Sequence, residues 1–123
     1  MIEGNRFSIA GRMRAFGYAA AGLLYAYKIG HALWLQNIIA IVIIAIGFYL
    51  KISLNDWRWI ALAIALVFTT EIMNTAVETV CDALHPDHDK LIGLAKDAAA
   101  GAVLMSGLGA VVIGTLTFWP YLF

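Results

Sequence analysis

The sequence has one cysteine, Cys81, so it can form no intrachain disulfide and has no CxxC pair for metal or redox chemistry. Packing alone must hold the fold. Charge is also scarce: 13% of residues are charged, eight basic against eight acidic, where a soluble domain carries roughly a quarter. Water cannot be the only solvent. With zero formal net charge and no basic face, the chain offers nothing that would hold a nucleic-acid backbone against salt. What it does have is apolar: 63% of its 123 residues are hydrophobic, and it reads as an all-α integral membrane protein.

The opening stretch MIEGNRFSIAGRMR lacks a compact apolar core followed by a small-residue cleavage site, so no signal peptide is expected. Residues 7–28 interleave Phe7, Ile9, Met13, Phe16, Tyr18, Leu23, Leu24 and Tyr27 with Arg, Ser, Gly and Ala. That pattern fits an amphipathic helix on the membrane surface, arginines in water and rings among the headgroups. Residues 33–50 run eighteen positions without a charge, long enough for a first span. An Asn-Asp turn signal marks the break at Lys51 to Arg58, and residues 59–81 form a second span. A polar break from Asp82 to Asp97 holds four of the eight acids, and residues 98–118 form the third span. Together these segments make residues 1–123 one membrane domain with no room for a soluble catalytic module.

Orientation follows from the cations. Arg6, Arg12, Arg14 and Lys28 precede the first span, and Lys90 and Lys96 lie in the second break, against Lys51 and Arg58 in the first break. Six against two places the N-terminus and the second break in the cytoplasm. Trp34, Trp57, Trp59 and Trp119 fall near span ends, as an aromatic belt does.

The chemistry is concentrated in Glu71-Ile-Met-Asn74-Thr-Ala-Val-Glu78-Thr-Val-Cys-Asp82. Steps of three, four and four residues return these four polar side chains to one stripe of a helix. An acidic side chain at the centre of a span costs roughly 2.5 to 3.5 kcal/mol, so the stripe demands a partner or a task. Lys96 is the only nearby cation, which leaves several carboxylates unneutralised and makes a divalent cation their natural complement. Glu71 lies about 10 Å deeper than Glu78 along the axis. A poorly hydrated carboxylate at that depth suits one that takes a proton from an alcohol. At the start of the third span, Asp97 is placed to favour the positive helix end, and Lys96 to meet a phosphate. The small residues Ala98, Ala102, Gly107, Ala110 and Gly114 that follow permit close helix approach, between subunits as well.

The run EIMNTAVETVCD, followed after a short polar loop by AKDAAAGAV, resembles the prokaryotic integral-membrane diacylglycerol kinase family, which includes undecaprenol kinases. The resemblance extends to the surface helix with Gly17 and Tyr18 and to the three-span plan. It implies a homotrimer in the cytoplasmic membrane, with active sites between neighbouring subunits, that uses ATP and Mg²⁺ to phosphorylate diacylglycerol or a related lipid alcohol such as undecaprenol. It implies Glu71 as catalytic base, oriented by Asn74, and Glu78 as the metal ligand. Tyr18, Gln36, Asp82, Lys96 and Asp97 would hold the nucleotide. Such enzymes have neither a Walker A loop nor an HRD motif, and none is present.

Two positions depart from the family pattern: Gly30 stands where a metal-binding Glu is usual, and Gln36 where a Glu or His is common. His31 is a candidate replacement ligand, and His88 occupies the place of a loop tyrosine. The departure at Gly30 keeps an alternative open, a catalytically silent membrane subunit that binds nucleotide or lipid. A third reading, a transporter with Glu71 and Glu78 as proton carriers, leaves Lys96 and Asp97 without a role. The His85-Pro-Asp-His88 cluster has too few ligands for zinc and reads as a polar turn.

Overall fold

A computed structural model describes residues 8–87 and 89–123; Arg6, Phe7 and His88, each used in reading the sequence, lie outside the described residues. The described chain is helical, in the order α1 (Ile9–Ile29), α2 (His31–Leu50), α3 (Leu54–Leu84) and α4 (Lys90–Leu122). The last three are long and apolar enough to cross a membrane.

Capping chemistry sets the helix ends. Ser8 caps α1, its Oγ accepting from the Gly11 N–H at 2.9 Å. Gly30 then breaks the run with an extended backbone while its own N–H returns to the Ala26 carbonyl at 3.0 Å. At the end of α2, Lys51 adopts a left-handed conformation with φ 53°. The Lys51 and Ile52 N–H groups return to the carbonyls of Phe48 and Gly47, a Schellman closure made here without glycine. Gly47 is needed for another reason: a Cβ there would lie 2.6 Å from Trp57 Cη2, so the indole of α3 rests directly on the α2 backbone.

The helices run longer than the uncharged stretches. The Asn-Asp pair taken as a turn belongs to the first turn of α3, because Ser53 caps that helix and accepts from the Asp56 N–H at 3.1 Å. Similarly, Asp89 caps α4 by accepting from the Leu91 and Ile92 N–H groups at 2.9 and 3.2 Å. The polar break therefore contracts to the residues between Leu84 and Lys90. Asp97, read as sitting at a helix start, instead lies two turns inside α4, where the free N–H groups are already behind it.

α3 and α4 pack along each other and are tied at three levels. Near the chain's C-terminus, the Tyr121 hydroxyl donates to Asp56 Oδ2 at 2.5 Å and accepts from the Ser53 N–H at 3.1 Å. Midway, the hydroxyls of Thr70 and Ser106 meet at 2.7 Å. At the turn end, Lys96 Nζ meets Asp82 Oδ1 at 2.5 Å. The apolar cluster is small, Ile52, Ile60 and Phe118 with Ile43, Leu50, Trp57 and Ile64 against it; Leu33 is fully buried elsewhere, and many of the remaining large apolar side chains face outward. An outward apolar surface of this extent suits lipid or other helices, not water. α1 touches the bundle at its C-terminal end, where Tyr25 Oη and Thr79 Oγ1 are 3.0 Å apart and Trp34 Nε1 donates to the Tyr27 carbonyl at 2.9 Å.

Candidate active site

The polar residues of α3 do share one face. Glu71, Asn74 and Thr75 are buried, 8%, 9% and 6% exposed, whereas Glu78 and Asp82, one and two turns nearer the α3–α4 turn, stand exposed. The stripe therefore grades from an end buried in the bundle to an exposed end.

At the buried end, Gln36 on α2 donates through Nε2 to Glu71 Oε2 at 3.3 Å. One step along, Asn74 Nδ2 donates to Glu78 Oε1 at 3.2 Å, the i, i+4 neighbour on its own helix. Asn74 was expected to orient Glu71, and Gln36 to face the nucleotide. The hydrogen bonds distribute these residues otherwise: Gln36 meets Glu71, and Asn74 meets Glu78. Each of the two amides keeps a buried carbonyl oxygen, Gln36 Oε1 and Asn74 Oδ1, with no hydrogen-bond partner. At the exposed end Asp82 and Lys96 form an ion pair, so Lys96 is already drawn to the stripe.

Other residues fall outside this line. Tyr18 projects from α1 with 71% of its surface exposed, and Asp97 is exposed on α4. His31 is exposed at the first turn of α2. Gly30 comes close to α3, since a Cβ there would lie 3.9 Å from Thr75 Oγ1 and 3.0 Å from the Ala26 carbonyl. His85 is held within its own turn, Nδ1 against the Asp87 carbonyl at 2.9 Å and Nε2 4.0 Å from Asp89.

Sequence reasoning passed over Thr75 and Thr79. The Thr79 hydroxyl donates to the Thr75 carbonyl at 2.9 Å and meets Tyr25, which ties the C-terminal end of α1 to α3. The signal was present, since Thr75 and Thr79 follow Glu71 at four-residue steps.

Among the described residues, no three His, Cys, Asp or Glu side chains converge as a closed metal cage. Mg²⁺ does not require one: it is usually held by one or two carboxylates, with phosphates and water completing the shell. The exposed Glu78 carboxylate beside the unpartnered Asn74 carbonyl oxygen is an all-oxygen set of that kind.

Comparison with known proteins decides the family. The pattern of the family described as Prokaryotic diacylglycerol kinase matches residues 17–118, a span containing every residue of the stripe together with Tyr18, Gln36 and Lys96. The chain belongs to the prokaryotic diacylglycerol kinase family. Within reach of this prokaryotic diacylglycerol kinase-family chain is the undecaprenol kinase of Bacillus subtilis (strain 168), 32% identical over 120 residues, covering 98% of this chain and 94% of that one. The diacylglycerol kinase of Escherichia coli (strain K12) is 29% identical over 110 residues, 89% of each chain. That of Synechocystis sp. is 32% identical over 107 residues, 86% of this chain and 61% of that longer one.

Proposed function

We propose that this chain is a lipid kinase that moves the γ-phosphate of MgATP to the hydroxyl of a lipid alcohol, diacylglycerol or undecaprenol, at the cytoplasmic surface of the membrane. One observation carries the reading: Glu71, Asn74, Glu78 and Asp82 form a single stripe on α3 that passes from buried to exposed and ends beside Lys96 of α4. The names of the relatives supply the two acceptor lipids.

In this reading Glu71, at the buried end, takes the proton as the lipid hydroxyl oxygen attacks the γ-phosphorus. The bond from that phosphorus to the β–γ bridging oxygen breaks, and ADP leaves with the electron pair. Glu78, with the Asn74 carbonyl oxygen, would hold Mg²⁺. When bound, the metal supplies charge neutralisation on the phosphates. Lys96 turns from Asp82 to the phosphate oxygens, and Asp82, Asp97 and Tyr18 border the nucleotide. Such a transfer needs positioning and charge more than covalent chemistry, which a few side chains can provide.

We take the working unit to be a homotrimer with the N-terminus and the α3–α4 turn in the cytoplasm and α1 on the membrane surface. The cation distribution supports the orientation. Open space around Gly101, Gly107, Gly109 and Gly114, where an added Cβ would meet nothing within 4 Å, supports close approach of another helix to α4.

The test is transfer of labelled γ-phosphate from MgATP to diacylglycerol and, separately, to undecaprenol, by purified protein in mixed micelles with Glu78→Ala as control. Transfer that vanishes in the control supports the kinase and identifies its alcohol. A second reading, a silent nucleotide- or lipid-binding subunit, is favoured by Gly30, which brings no side chain to the α3 stripe. Binding without turnover on either lipid would establish it.

A further inference from the structure

We infer that Gln36 is a positioning residue for the proton-accepting carboxylate of Glu71 rather than a nucleotide ligand; this rests on the reading of Glu71 as the base. Three observations bring Gln36 there.

The first is contact. Gln36 sits in the largely apolar α2, where a polar side chain facing lipid is costly, and its amide nitrogen is directed to Glu71 Oε2. The opposite amide orientation would set a carbonyl oxygen against a carboxylate oxygen, two acceptors with no proton between them. The second is level. Asp82, with its partner Lys96 of α4 beside it, lies eleven residues further along α3 from Glu71, about 16 Å by helical rise, toward the part of the nucleotide remote from the reacting γ-phosphorus. Gln36 is level with the base and not with that pair. The third is charge type. A neutral amide donor satisfies one oxygen of Glu71 without adding a cation that would quench its basicity. With Oε2 engaged, Oε1 is the oxygen left for the proton of the lipid alcohol. At 3.3 Å the bond is long, as catalytic hydrogen bonds often are before substrate is bound.

The experiment is a steady-state comparison of the protein with its Gln36→Leu, Glu71→Gln and Gln36→Leu/Glu71→Gln variants, varying MgATP and lipid separately. Leucine extends an apolar helix while removing the amide donor. Losing a hydrogen bond to a charged group should lower kcat roughly tenfold or more in Gln36→Leu, with KM for MgATP unchanged. Because Gln36 acts through Glu71, the double variant should be no slower than Glu71→Gln alone. Unaltered kcat in Gln36→Leu overturns the positioning role, as does a rise in KM for MgATP matching the fall in kcat. A double variant slower than Glu71→Gln by the full single-variant factor overturns it too. In each of these cases the lipid kinase itself stands. Full activity in Glu71→Gln removes instead the assignment of the base on which the inference rests.

Discussion

Replacing Glu71 by glutamine removes one negative charge and almost no volume, so it separates what the carboxylate does from what it costs. In the folded chain Glu71 is 8% exposed and receives the Gln36 amide at 3.3 Å. A glutamine at 71 can still accept that hydrogen bond through its own carbonyl, so the α2–α3 contact survives. Two effects then move in opposite directions. Loss of a general base should lower kcat by roughly 10²- to 10⁴-fold, with KM for MgATP held because Glu78, Asp82 and Lys96 are untouched. Relief of an incompletely compensated buried charge should raise the unfolding free energy by roughly 1 to 3 kcal/mol. An inactive but more stable protein is thus expected, the usual sign of a residue retained for function against stability. Radiolabelled phosphate transfer in mixed micelles measures the first effect, and an SDS unfolding titration in the same micelles the second. Unchanged kcat would remove Glu71 from the chemistry. Activity and stability falling together would make the carboxylate a packing seam and refute the argument from burial.

Glu78→Ala should raise the Mg²⁺ concentration needed for half-maximal rate by roughly ten- to hundredfold, read from a metal titration at saturating ATP. Lys96→Met should raise KM for MgATP about tenfold by losing one charge-assisted hydrogen bond. Its unfolding midpoint should barely move, because the ion pair with Asp82 is open to solvent. Gly47→Ala drives a methyl into the Trp57 ring, whose Cη2 would lie 2.6 Å away. It should destabilise the protein by roughly 1 to 3 kcal/mol in the SDS titration while kcat per folded molecule stays the same.

Local pattern was enough for much of this protein. Predominantly apolar runs of near-membrane length are set by composition, so the three membrane helices were legible from residues 33–50, 59–81 and 98–118. The stripe from Glu71 to Asp82 was legible for the same reason: helical period is a property of the backbone and places side chains three and four apart on one face. Helix ends were less so. Ser53 and Asp89 decided them by giving side-chain oxygens to free N–H groups, which allowed helix to continue through polar residues that looked like loop.

What the sequence by itself determined, then, was the membrane character, the helix count and the face of α3 that carries the polar stripe. Which partner each polar group takes was a matter for the tertiary structure. Asn74 is three residues from Glu71 and four from Glu78, equal neighbours by period, and only the folded arrangement directs its amide to Glu78. Gln36 and Glu71 are 35 positions apart on different helices. Their meeting depends on how α2 lies against α3, which follows from the break at Gly30 and from Trp57 seated on the bare backbone of Gly47. No periodicity within one helix encodes the distance between two, because that distance is set by the side chains packed between them.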